Sequence, residues 1–271
     1  MKGGVPYVNR RKIQGLIALA LVLFIPFTAS AEEEIKEKDP YEIPNHVLDI
    51  SKENTYPNST EDQEVIEPSK LTQEFIDNAD IPIENPELIK MLNETTLSPS
   101  PVAIGYRGMV YLGRWPLNYE SKETNINWEY QQINENKLNN IGGDAVQYMN
   151  FIQQEEKEVK GALTNKIKDA DQVKQMMLLK SKDKTDLPLA YSTVIGENTK
   201  KENSYDVPTD KKGELTTYVP AVSEKGQVTF GEVYVQLKGS KKSIEVKNVT
   251  KQGIGTWIPI QDYVSFSFQL K

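Results

Sequence analysis

"ELTTYVPAVSEKGQVTFGEVYVQLKGSKKSIEVKNVTKQGIGTWIPIQDYVSFSFQL", residues 214–270, is the stretch whose reading decides the fold. Near its end, Val264, Phe266, Phe268 and Leu270 share one parity while Ser265, Ser267 and Gln269 share the other. That period of two belongs to a half-buried strand. Further back, "SEKGQ", "KGSKK" and "KQGIG" separate apolar runs and read as turns. The stretch therefore predicts a C-terminal antiparallel meander of four strands.

The alternation recurs upstream. "LPLAYSTVI" places Leu187, Leu189, Tyr191 and Ile195 on one parity, and "VKGALTNKI" does the same with Val159, Leu163 and Ile167. Between them, Asp169 and Gln172 resemble a capping box ahead of Val173, Met176, Met177 and Lys180, one face of a helix that ends at the polar "SKDKTD". "DAVQYMNFIQQEEKE" fits either period. Strands in runs with a helix set apart predict an α+β class: a single β-rich domain over residues 98–271, mostly antiparallel, with one or two helices.

Charge sets this part against what precedes it. Residues 32–101 hold 18 acids against 5 lysines, whereas residues 102–271 hold 21 acids against 23 bases. The acidic part also carries eight of the fifteen prolines. Such a composition buries too little apolar surface to offset its ordering entropy, so residues 32–97 read as an acidic, Pro-rich, largely extended linker. Two short helices interrupt it. Ser69 precedes "KLTQEFIDN", and Asn85-Pro86 opens "ELIKML" as an N-cap followed by proline at the first helical position, so both helices are expected to dock on the following domain.

At the start of the chain, Lys2, Arg10, Arg11 and Lys12 precede the apolar run Ile13 to Phe27 and the small-x-small site Ala29-Ser30-Ala31. Residues 1–31 read as a signal peptide, and the apolar run of about 15 residues is short for a spanning helix, which needs about 20. Contact with a membrane is expected only if the leader is left uncleaved. The chain holds no cysteine, which excludes thiol nucleophiles, thiolate metal sites and lipid modification at the cleavage point. The expected address is secreted, or on the outer face of the cytoplasmic membrane or wall of a single-membrane bacterium.

Most chemistries lack their residues. The single histidine, His46, lies in the acidic segment, where neither a Ser-His-Asp triad nor a zinc site has companions for it; no metal and no cofactor is expected. Ser181 and Lys184 match Ser-x-x-Lys, but without the companion motifs of the enzymes that use it. Glu129, Asp144, Glu232 and Asp262 offer carboxylate pairs that sequence spacing alone does not pair. "GIGTW" lacks the helix start of a dinucleotide fingerprint and reads as a turn. A near-neutral domain without a basic stripe is a poor match for nucleic acid.

Arginine and the large aromatics remain. Arg107 and Arg114 are the only arginines beyond the leader, and with Trp115, Trp128, Tyr130 and Trp257 they could line a groove for a wall polymer; core packing is the plainer reading of the tryptophans. In "IGYRGMVYLGRWPLNY" Ile104, Tyr106, Val110 and Leu112 are even-numbered before Gly113, and Trp115, Leu117 and Tyr119 are odd-numbered after it. Glycine at such a flip predicts a bulge, which would turn Arg107 and Arg114 to one face.

The runs "IGYRGMVYLGRWPLNYESKETNINWEYQQIN", "TDLPLAYSTVIG" and "VKNVTKQGIGTWIPIQDY" resemble the YfkD-like family of exported proteins from Bacillus and relatives. That resemblance implies a secreted or wall-side protein and carries over no catalytic residues. The expectation is an exported binding or structural protein whose partner is a wall polymer or another envelope protein, not an enzyme. The alternative is a wall-acting hydrolase or transferase using carboxylate or Ser-Lys chemistry.

Overall fold

A computed structural model describes residues 40–59, 66–95, 107–239 and 241–271. The expected signal peptide, Ile104 and Tyr106 lie outside the described residues. Strands predominate and pair antiparallel.

The organising element is β8 (Lys212–Lys238), a single strand of 27 residues. β2 (Arg107–Asn139) pairs along one side of it from end to end. On its other side β9 (Lys241–Pro259) runs from Lys238 back to Ala221, and β10 (Tyr263–Leu270) continues along the same edge from Tyr218 to Gly213. The expected four-strand meander is thus corrected to three strands. "SEKGQ" and "KQGIG" lie inside β8 and β9, and of the three expected turns only the hairpin at Gly239 forms.

The burial pattern of β8 shows why. Odd-numbered residues are covered from Gly213 to Val219, even-numbered ones from Val222 to Phe230, and odd-numbered ones again from Gly231 to Val235. Each change of parity imitates a turn in the sequence, yet the backbone runs on and only the covering layer changes sides. At the base, Leu215, Val219, Val264 and Phe266 pack against Met149 and Phe151 of β3 (Gln147–Ile152) and Val207 of β7 (Lys200–Val207). In the middle, Val228, Phe230 and Ile254 meet Val173, Met176 and Met177 of α3 (Ala170–Thr185). Near the hairpin, Val233, Val235 and Ile244 pack under α1 (Lys70–Asp77) and α2 (Pro86–Asn93).

Two smaller corrections concern α3. Its capping box does not form, since Asp169 sits at φ 51° with no side-chain cap bond, and the helix continues through "SKDKT" to Thr185. The ambiguous 144–158 stretch supplies β3 and enters β4 (Lys157–Lys160), which pairs with β6 (Ser192–Ile195). After Gly161, β5 (Ala162–Leu163) pairs with β9.

The acidic segment is folded onto the sheet in its described parts, contrary to a largely extended course. β1 (Val47–Asp49) pairs with β10, and the backbone carbonyl of His46 accepts from Phe266 N–H. Both expected helices form with the expected caps. Ser69 Oγ accepts from Thr72 N–H, and Asn85 Oδ1 accepts from Glu87 and Leu88 N–H. These elements belong with the sheet to one compact unit, Pro40–Lys271.

Asn85 does more than cap. Fully buried, it also donates through Nδ2 to Pro116 O and Gln172 Oε1, joining α2 to β2 and α3. Asn85→Ala removes a cap and leaves a buried carbonyl unpaired, so it should cost about 2–3 kcal/mol. A thermal melt should show a loss of roughly 5–10 °C; a loss under one degree would show that solvent replaces these bonds.

Candidate functional site

Gly113 is a bulge. Its φ is 115°, and the β2–β8 register slips between Tyr111 and Gly113. The slip has the expected effect on facing: Arg107 lies opposite Lys238 and Arg114 opposite Glu232, two even-numbered positions of β8 and therefore one face. On that face, rows run Arg107, Lys238, Lys241; Met109, Gln236, Ser243; Tyr111, Tyr234, Glu245; and Arg114, Glu232, Lys247.

The rows carry a distinct chemistry. Tyr111 and Tyr234 lie with ring centroids 5.0 Å apart, and Lys247 Nζ sits 5.2 Å above the Tyr234 ring. Tyr111 is 55% exposed and Met109 45%, so the apolar centre of the face is open to a ligand. Glu232 and Glu245 are engaged locally, accepting from Tyr234 Oη and Asn248 Nδ2, and from Gln236 Nε2. Arg107, Lys238 and Lys241 make no ion pair with a described residue. The outcome is a face with five cations and two acids in a chain of net charge −7.

Of the other selected residues, Arg114 shares this face but is held by the sheet, and the rest do not join it. Arg114 donates to Asn248 O at 2.9 Å and Thr250 Oγ1 at 2.6 Å, fixing a bulge of β9. Trp115 turns to the opposite face, opposite Gly231, and packs with the α1–α2 cluster. Trp128 packs among Leu178, Val222 and Ile258. Trp257 is stacked on Tyr130, centroids 5.0 Å apart and planes 23° from parallel. Ser181 is fully buried, and its Oγ has no hydrogen-bond partner among the described residues.

A second constellation was not legible in the sequence. Glu224 of β8 is fully buried beneath α3. Its Oε1 accepts from Tyr119 Oη at 2.9 Å and from Ser121 Oγ, and its Oε2 accepts from Thr124 Oγ1 at 2.5 Å. Lys184 Nζ in turn donates to Ser121 Oγ at 2.6 Å and Thr124 Oγ1 at 3.3 Å. A buried carboxylate without such partners would be very costly; three hydroxyls and a nearby ammonium make it tenable. Burial first, and then the Glu224 carboxylate, push the Tyr119 phenol far above its ordinary range, so it stays protonated and donates.

A β-bulge assembles this group. The β2 register slips between Ser121 and Glu123, which turns Ser121 and Thr124, three residues apart, to the face of Glu224. Gly226 leaves the room for Tyr119 to reach in. A cleft of about 510 Å³ opens beside the group, lined by Ile81, Pro82, Ser121, Lys180, Lys184 and Lys251 among others.

Fold and sites together define a strand-rich, mostly antiparallel protein with helices laid on a long ribbon. The sequence profile of the YfkD-like protein family matches residues 44–271. The chain belongs to that family. It is similar to the "Uncharacterized protein YfkD" of Bacillus subtilis (strain 168), 51% identical over 250 residues, which cover 92% of this chain and 95% of that relative. No solved structure matches the chain.

Proposed function

We propose that the protein is an exported, envelope-side binding protein that holds an anionic wall polymer on the face around the Gly113 bulge. The observation that carries this reading is the placement of exposed Tyr111 and Met109 among Arg107, Lys238 and Lys241, which make no ion pair with a described residue. Flat rings stack on sugars while guanidinium and ammonium groups engage phosphate or carboxylate. The leader pattern of residues 1–31 supports an address where such polymers are found.

The test uses the chain from Glu32 onward, mixed with isolated walls of a single-membrane bacterium and sedimented. Binding is expected to weaken at least about tenfold, or 1.4 kcal/mol, when Arg107, Lys238 and Lys241 are all changed to glutamine. It should also weaken as salt rises, because exposed charges carry it. Equal retention by walls stripped of their anionic polymer would sink the reading. Recovery of the protein from the cytoplasmic fraction alone would remove the proposed address.

A further inference from the structure

The Glu224 group reaches the cleft through Tyr119 and Ser121. From its geometry we infer that Ser121 is a nucleophile for acyl transfer, with Glu224 as its base and Lys184 as the adjoining cation, acting on a carboxylic ester admitted to the cleft. This activity is separate from polymer binding on the Gly113 face and would stand if that reading failed.

Three features carry it. Ser121 Oγ lies within hydrogen-bond reach of both a carboxylate and an ammonium, the first requirement for a nucleophile paired with a base. The base is itself held by third groups, Tyr119 Oη on one oxygen and Thr124 Oγ1 on the other. Lys122, the residue after the nucleophile, is the extra residue of the bulge and has no cross-strand partner in the register. An N–H that follows the nucleophile is a standard position for an oxyanion donor. The Ser-Lys pairing suggested by Ser181 and Lys184 is thereby moved: the lysine is the same, but its serine comes from β2.

The chemistry balances without a further reagent. Ser121 Oγ attacks the ester carbonyl and its proton passes to Glu224; the bond to the alcohol breaks and the leaving oxygen takes a proton from Lys184. Water then attacks the acyl-serine and gives a proton to Lys184. Acid departs as Ser121 Oγ recovers the proton held by Glu224.

An alkyl fluorophosphonate tests this on the chain from Glu32 onward. Attack forms an Oγ–P bond and expels fluoride, and peptide mass spectrometry locates the adduct. One adduct per chain at Ser121 is expected. Because Ser121→Ala withdraws a donor from a buried carboxylate and could unfold the protein, the decisive variant is Lys184→Ala, whose side chain is exposed. Its labelling should be slower by at least about 100-fold. Ser181→Ala should label at the parent rate. Absence of a Ser121 adduct on folded protein, or equal rates with and without Lys184, would overturn the inference and leave the group as structural.

Discussion

Gly226→Ala is expected to lower stability by about 3–5 kcal/mol, near the top of the range for a single substitution. A Cβ at Gly226 would lie 2.2 Å from the backbone oxygen of Glu120 and 2.6 Å from Tyr119 Oη. The first atom belongs to the paired strand and retreats only if the ladder opens. The second is the donor to buried Glu224, so the substitution also withdraws a charge-assisted hydrogen bond, about 1.5–3 kcal/mol by itself. Urea unfolding monitored by circular dichroism measures the loss. Gly253→Ala is the control, because the nearest atom to its Cβ is 3.9 Å away, and it should fall within about 0.5 kcal/mol of the parent. Similar values for the two would mean that β2 relaxes freely around the Ser121 bulge.

A chain that begins at Thr96 is expected to lose cooperative folding altogether. Phe75, Ile83, Leu88 and Leu92, all at least 96% buried, cover Leu117, Val233, Val235 and Ile244 of the sheet. At about 1.5–3 kcal/mol for each buried side chain, these four alone are comparable with the whole stability of an ordinary domain, about 5–15 kcal/mol. The truncation also strips β1 from β10. Light scattering and the absence of a sigmoidal melt are the expected readouts. A truncated chain that melts at the temperature of the chain from Glu32 would reduce residues 40–95 to an accessory.

Features written in a few adjacent residues were legible, and features assembled across the chain were not. Ser69 and Asn85-Pro86 announce α1 and α2 because a cap is a local contact. Gly113 announces its bulge because the apolar parity changes beside it. β8 conceals itself by the same signal, since its parity changes twice for a different reason: the covered parity changes while the strand runs on unbroken. The Glu224 group has no local signature at all. Its bulge at Lys122 carries no glycine, and Lys184 arrives from a helix that continues through the polar "SKDKT" run. The tryptophans stand out by their size, which in Trp115 and Trp128 serves the packing of two separate clusters.

β8 also governs when the molecule can take shape. β2, β9 and β10 all pair with it, so every strand of the main ribbon waits for residues 212–238. During synthesis β3 and β4 can pair with β7 and β6 before Lys212 appears, but β2 must stay unpaired while more than seventy residues follow it out. Pairing over such separations is slow. If the chain is exported as proposed, that delay is useful: the ribbon closes only after β8 has emerged on the far side of the membrane.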